Sequence, residues 1–179
     1  MKLIVCCDEN WGIGNKGELL YHYKEDMMFF KNKTYWDVVV MGKNTFLSLP
    51  KQEPLKDRYN IVLTTDKDFK KQNTITVHSI PELFKLLDGM IKETSYTNDD
   101  IWIIGGGSIY EQLLPYCDYA YVTMVTEKAK ECDCFFPNLD KSPDWKWKRL
   151  QLSKNEPLKF YEYQNINVKD WREEVKERE

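Results

Sequence analysis

Asp26 is the residue whose surroundings first suggest chemistry. In "KEDMMFFKN" it precedes Phe29 and Phe30 by three and four positions, spacings that share one helical surface. An acid on an aromatic face loses part of its hydration, and its pKa rises. A carboxylate held there can accept two parallel N–H bonds from a planar, amidine-like group. The plainer reading is an acid in a first helical turn, favoured by the macrodipole, as Glu25 is expected to be.

A second kind of chemistry lies in "IWIIGGGSIYE", where an apolar run meets Gly105, Gly106 and Gly107 and a helical pattern follows through Ser108, Ile109 and Tyr110. Three successive glycines are costly to order. Either the backbone turns too tightly for a Cβ, or something packs on it directly. A buried strand feeding a helix offers free N–H groups to a phosphate. The spacing is neither G-x-G-x-x-G nor a P-loop, so a turn filled by small residues is an equal alternative. "DVVVMGKNTFLSL" repeats the design, with Gly42, a cation in Lys43, and Asn44 and Thr45 as helix caps. "IVLTTDKDFKK" ends a third apolar run on Thr64, Thr65 and Lys67. Parallel sheets bind ligands beyond the carboxyl ends of their strands, so all three clusters are expected on one edge. That pattern suits a dinucleotide with an additional phosphate, NADPH rather than NADH.

The elements that must position these residues follow from periodicity. Strands are expected over 3–7, 37–41, 60–64, 74–77, 101–104, 119–126 and 159–163, and helices over 24–34, 44–49, 80–92 and 109–114. Their alternation predicts a single α/β domain with a predominantly parallel central sheet, helices on both faces and an antiparallel C-terminal edge hairpin. The glycine-rich segment 8–20 reads as a mobile loop. Nine of the eleven residues from Lys169 to Glu179 are charged. That tail is either a helix docked through Trp171 and Val175 or, the favoured reading, a solvated segment.

Composition narrows the classes. Hydrophobic residues make up 42% and charged residues 31% of the 179, with a net charge of −3, an ordinary globular balance. That charge gives no case for binding nucleic acid or an anionic membrane. No apolar run reaches the length of a membrane span. The five cysteines, Cys6, Cys7, Cys117, Cys132 and Cys134, lack a metal-type spacing with histidine, so free thiols in a reducing cytoplasm are expected and no metal. Cys6 and Cys7 read as small buried hydrophobes, and Arg58 could hold a carboxylate or simply lie on the surface.

Taken together and in this order, the motifs resemble dihydrofolate reductase. The resemblance rests on "GIGNKGEL" (12–19), Asp26 with "FFK", "VMGKNTFLSL" (40–49), "PLKDRYNIVLTT" (54–65), "IIGGGSIYEQLLP" (103–115), "YVT" (121–123) and "DCFFP" (133–137). It covers residues 1–165 and leaves 166–179 as a charged tail. It implies NADPH-dependent reduction of 7,8-dihydrofolate to tetrahydrofolate, serving one-carbon and thymidylate metabolism, by a cytoplasmic monomer of a kind targeted by antifolates. It assigns Asp26, supported by Thr123, to the pterin's 2-amino and ring N–H groups. It places Cys6, Met27, Phe30, Leu49, Leu55, Ile104 and Tyr110 around the substrate and pairs Arg58 with the glutamate carboxylate. For the cofactor it implies Cys7, Ile13, Gly14, Asn15, Gly42, Lys43, Asn44, Thr45, Thr64, Thr65, Gly105, Gly106, Gly107, Ser108, Ile109 and Tyr110. Lys43, Thr64 and Thr65 match positions that hold the 2′-phosphate, and Gly105–Gly106 matches a cis peptide. Residues 10–19 would close over the site.

Three departures stand out. Leu20-Tyr21 replaces the family's usual Pro-Trp, putting a hydroxyl at a catalytic position where the indole normally helps hold a water. Lys43 replaces a common arginine, and Cys6 a small residue. Leu20, Tyr21 and Cys6 lead to the expectation that diaminopyrimidine inhibitors bind weakly. Two other readings remain at this point: the riboflavin-pathway pyrimidine reductase on the same fold, and a non-catalytic nucleotide-binding module.

Overall fold

The computed structural model describes residues 1–127, 130–154 and 157–177. Val38, Val39, Val40 and Met41 are at most 1% exposed, so this β-branched run is buried on both faces, as an interior parallel strand requires. In chain order the elements are β1 (Lys2–Asp8), β2 (Gly12–Asn15), β3 (Glu18–Leu19), α1 (Lys24–Thr34), β4 (Val38–Gly42), α2 (Lys43–Ser48), β5 (Tyr59–Leu63), β6 (Ile75–Val77), α3 (Ile80–Glu93), β7 (Ile101–Gly105), α4 (Gly107–Leu113), β8 (Tyr119–Val125), β9 (Cys134–Phe135), β10 (Trp145–Leu152), β11 (Leu158–Asn165) and α5 (Trp171–Lys176).

Eight strands form the main sheet in the order β10-β11-β8-β1-β7-β4-β5-β6. The six from β8 to β6 pair in parallel, while β11 joins β8, and β10 joins β11, antiparallel. Alternate residues serve opposite faces. Val38 and Val40 pack in one cluster with Leu83 and Leu87 of α3, whereas Val39 and Met41 pack in another with Phe46 of α2 and Phe29 and Phe30 of α1. The expected layered α/β architecture with its antiparallel edge hairpin is therefore present.

Three elements differ from the sequence reading. The strand β10 was not expected, because "WKWKRLQL" buries only Trp145 and leaves its other residues exposed at the sheet edge. Segment 8–20 is anchored in its first half: β2 pairs with β3 and β9, and Trp11 and Ile13 are 5% and 7% exposed in the main core, whereas 16–19 are exposed. Asp8 Oδ1 holds its first turn by accepting from the Asn10 and Gly12 N–H groups at 2.9 and 2.8 Å. The charged tail is not solvated throughout as favoured: it docks through Trp171 and Val175, while 166–170 are exposed and Arg178 and Glu179 lie outside the described residues. Asp170 caps α5, Trp171 packs on Phe84 with centroids 5.6 Å apart, its Nε1 donates to Asn98 Oδ1 at 2.9 Å, and Val175 joins the same core. Burial of one indole outweighs the polarity around it. All five cysteines are free. Among the described residues no helix is long and apolar enough to cross a membrane.

Candidate active site

The carboxyl ends of β8, β1, β7, β4 and β5 lie side by side, and α1 runs across one face of them. Parallel pairing sets Cys6 of β1 directly opposite Thr123 of β8, and both flank the Asp26 carboxyl. Burial pushes that carboxyl above its ordinary pKa; the Thr123 hydroxyl and the Cys6 thiol pull it partly back, and Glu25 adds a further push upward. Among the described residues no cation pairs with Asp26. Thr123 Oγ1 is fully buried and, although it faces the Asp26 carboxyl, makes no hydrogen bond of full geometry among the described residues. The Cys6 thiol is raised by burial first and then by Asp26, which makes it a poor nucleophile.

Tyr21 supplies a second orphaned group. The side chain is 6% exposed, and its buried hydroxyl makes no hydrogen bond of full geometry among the described residues, although the Lys130 backbone lies close enough to act on it. Its ring stacks on Tyr23 at 6.2 Å, and Lys130 Nζ sits 4.6 Å from the ring centroid while donating to the Leu20 carbonyl at 2.9 Å. Buried polar groups without partners are rare and call for an explanation. Here both belong to residues that neighbour Cys6.

Along α1, Phe30 packs with Leu49, Leu55 and Ile104 against the second core, whereas Met27 is 59% exposed and joins no buried cluster. Arg58 is held in place: Nη1 donates to Thr34 Oγ1 at 3.0 Å, Nε to the Lys56 carbonyl at 3.0 Å, and Cζ lies 5.9 Å from the Phe30 centroid. Asn60 clamps the loop that carries it. Its Oδ1 accepts from Leu55 N at 2.8 Å, and its Nδ2 donates to the Leu55 and Arg58 carbonyls at 2.9 and 3.0 Å. Sequence reasoning missed Thr34 and Asn60; a polar residue opening the apolar run "NIVL" was the available signal for the latter.

At the glycine run the Gly105–Gly106 peptide is cis, and Gly105 has φ +115°. The glycines are needed first for packing. A Cβ on Gly105 would meet the Tyr110 ring at 3.1 Å, one on Gly42 the Ile109 side chain at 3.0 Å, and one on Gly107 the Cys134 sulfur at 2.7 Å. Tyr110, 4% exposed, donates its hydroxyl to the Ile4 carbonyl at 2.6 Å and so braces β1 from behind. Asn44 and Thr45 are not caps, which corrects the expectation: α2 starts one residue earlier, at Lys43, with Gly42 in the N-cap position. Neither α2 nor α4 has a side-chain cap, so their opening N–H groups are left to a ligand or solvent. Ser108 lies inside α4, its hydroxyl accepting from Gln112 Nε2 at 2.9 Å.

Of the remaining expected cofactor residues, Cys7 is fully buried and Ile13 is 7% exposed. Gly14 and Asn15 lie on β2, where the Gly14 carbonyl accepts from Cys132 Sγ at 3.2 Å. Thr64 Oγ1 accepts from the Asp66 N–H at 3.2 Å, and Thr65 is exposed. Lys43 is not free, for its Nζ lies 2.6 Å from Asp66 Oδ2.

Residues 1–169 match the family model described as dihydrofolate reductase. The dihydrofolate reductase of Heliothis virescens is 36% identical over 156 residues, covering 79% of this chain and 80% of that protein. The dihydrofolate reductase of Staphylococcus haemolyticus is 31% identical over 165 residues, 91% of each. Among solved structures, dihydrofolate reductase from Enterococcus faecalis complexed with NADP(H) and RAB-propyl superposes with a TM-score of 0.73 at 28% identity, over 92% of this chain and 95% of that one. Fold, cleft and matches together define an enzyme, an NADPH-dependent oxidoreductase. The chain belongs to the dihydrofolate reductase family, which sets aside the pyrimidine-reductase and non-catalytic readings.

Proposed function

We propose that this chain reduces 7,8-dihydrofolate to tetrahydrofolate with Asp26 as its central residue. The observation that carries the assignment is a buried carboxyl that, among the described residues, has no cation and is met only by the Thr123 hydroxyl and the Cys6 thiol, that hydroxyl falling short of full hydrogen-bond geometry. Both are completed by a planar group that brings two N–H donors and one further polar atom. The Asp26 carboxylate accepts from the pterin's 2-amino and ring N–H groups, and Thr123 completes the set. Phe30, Met27, Leu49, Leu55, Ile104 and Cys6 wall the ring and benzoyl group. Arg58 takes the glutamate α-carboxylate, pre-aimed by Thr34 so that little freedom is lost on binding.

The cofactor groups fit as well. The uncapped N–H groups of α2 and α4, the Cβ-free backbone at Gly42 and Gly105–Gly107, and Thr64, Thr65 and Lys43 form a run of donors that suits a dinucleotide carrying an extra phosphate. Cys7, Ile13, Gly14, Asn15 and Tyr110 flank the nicotinamide end; Asn44, Thr45, Ser108 and Ile109 lie along the phosphates. When bound, NADPH supplies the hydride. Asp26 in a poorly hydrated cleft favours positive charge developing on the pterin, and Tyr21 offers its hydroxyl to a water at the rim through which a proton reaches the ring nitrogen. The enzyme works as a cytoplasmic monomer, with dihydrofolate and the cofactor as its partners and neither nucleic acid nor membrane. Five free cysteines accord with a reducing compartment.

The test is NADPH oxidation with dihydrofolate in the native chain and in Asp26→Asn. Turnover that collapses in the variant while NADPH still binds supports the assignment. A native chain that binds NADPH yet does not turn over dihydrofolate sinks it.

A further inference from the structure

The Lys43 pose bears on cofactor choice. Its ammonium lies 2.6 Å from Asp66 Oδ2, with both side chains about one-third exposed, and 5.5 Å over the Phe69 ring. Asp66 is itself fixed. Its Oδ1 accepts from the Asp68 N–H at 3.0 Å, and its own N–H donates to Thr64 Oγ1. The pairing with Lys43 also holds the Asp66 carboxyl below its ordinary pKa. Lys43, the cation that the resemblance assigns to the 2′-phosphate, thus arrives already neutralised, while Lys67 follows exposed in the same loop. A phosphate ester carries nearly two negative charges at neutral pH. To bind there it must draw Lys43 away from Asp66 or share it, with a carboxylate left alongside. A ribose 2′-hydroxyl meets no such obstacle, since it can donate to that carboxylate, as acidic residues take the ribose in NAD sites.

We infer that Asp66 is a specificity-determining residue that blunts discrimination between NADPH and NADH by competing with the 2′-phosphate for Lys43. The inference rests on the reading of this edge as the cofactor's 2′-phosphate site. It makes Asp66 a brake on the preferred cofactor and an acceptor for the other, so that NADH serves as a secondary reductant. A lysine suits this arrangement better than an arginine, because a single point charge cannot form a fork to phosphate while still serving the carboxylate.

The experiment is calorimetric titration of 2′,5′-ADP and of 5′-ADP into the full chain, into Asp66→Asn and into Lys43→Met. The native chain is expected to prefer 2′,5′-ADP by less than about tenfold. Asp66→Asn should tighten 2′,5′-ADP about tenfold and leave 5′-ADP unchanged or slightly weaker, raising the kcat/KM ratio of NADPH to NADH in parallel. Lys43→Met should bring the two nucleotides to near-equal affinity and, combined with Asp66→Asn, abolish the gain. An unchanged preference in Asp66→Asn, or a gain that survives loss of Lys43, overturns the inference. The titrations need no turnover. Failure to reduce dihydrofolate would strike the reductase assignment alone, and an unaltered nucleotide preference would strike only Asp66.

Discussion

The two halves of the cleft are built on opposite principles. On the side proposed for the pterin the polar groups are only partly satisfied: among the described residues Asp26 has no cation and is met only by the Thr123 hydroxyl and the Cys6 thiol, and the buried Thr123 and Tyr21 hydroxyls make no hydrogen bond of full geometry. On the cofactor side the expected charge is satisfied internally, Lys43 by Asp66, and the glycines are packed against Tyr110, Ile109 and Cys134. A buried orphan costs about 1–3 kcal/mol, whereas an exposed ion pair contributes less than about 1 kcal/mol. The pterin side therefore holds back free energy that only a ligand recovers. The cofactor side is close to indifferent until a ligand outcompetes its own contacts.

The largest expected effect comes from removing the charge on the unsatisfied side. Asp26→Asn should lower kcat with dihydrofolate about 10²–10⁴-fold, while Lys43→Met, on the satisfied side, should change it less than about threefold and act on KM for NADPH. Steady-state kinetics of the two variants decides the matter. Equal losses in kcat would erase the distinction between the halves.

Arg58 gives the next effect in size. Hydrogen bonds to charged groups contribute about 1.5–3 kcal/mol, so Arg58→Leu should raise KM for dihydrofolate about 10–100-fold at nearly constant kcat. Thr34→Val should reproduce part of that rise, and Thr34→Ser should restore it, because only the hydroxyl that orients Nη1 is at issue. A dihydropterin lacking the glutamate should be indifferent to all three changes. If its KM rises in step, Arg58 is supporting the loop rather than binding the tail.

How much of this was legible in the sequence depends on whether the deciding contact is local. The buried run at Val38–Met41 and the spacing of Asp26 to Phe29 and Phe30 are local patterns, and both led to the right elements. Lys43 and Asp66 lie 23 positions apart, and Cys6 meets Thr123 only through parallel pairing, so neither partnership shows in periodicity. The edge strand β10 hid because its alternation changes phase at the bulge between Trp147 and Arg149, so that Trp145 and Trp147 fall out of step in sequence with Leu150 and Leu152. The helix α5, docked through Trp171 and Val175 as one of the two readings had it, was passed over because its charges outnumber those two anchors. The caps on α2 failed for a smaller reason, a helix start displaced by one residue, which is the ordinary uncertainty of a boundary.

Stability offers a third way to sharpen the contrast. Asp26 has a raised pKa when folded, so the native state binds its proton more tightly than the unfolded chain does. Its ionisation therefore opposes folding, an effect absent below the unfolded pKa near 4 and growing as pH rises through the folded value. Asp26→Asn should melt higher than the native chain at pH 7, by about 2–4 °C for each kcal/mol relieved, and the advantage should vanish near pH 4. Calorimetric scans at the two pH values test it. A variant less stable than the native chain at pH 7 would mean that the carboxylate is satisfied after all.

The smallest effect concerns Tyr21, and it separates a positioned hydroxyl from a leftover one. Tyr21→Phe removes the buried oxygen and keeps the ring that stacks on Tyr23 and receives Lys130. Losing an unpartnered hydroxyl should raise stability by about 1 kcal/mol. If that hydroxyl serves a water at the pterin, kcat should fall about two- to tenfold alongside the stability gain. Gain with loss is the signature of a group held in readiness, and it would place Tyr21 with Asp26 on the unsatisfied side. Restoring the family's usual pair, with Leu20→Pro and Tyr21→Trp together, should tighten a diaminopyrimidine inhibitor about three- to tenfold, because the indole N–H and the stiffer entry to α1 would then line the pocket. Inhibition already as tight in the native chain would show that Tyr21 and Cys6 accommodate the inhibitor unaided. Unchanged turnover in Tyr21→Phe would mark the hydroxyl as a packing remnant and leave Asp26 and Thr123 alone as the groups that await the substrate.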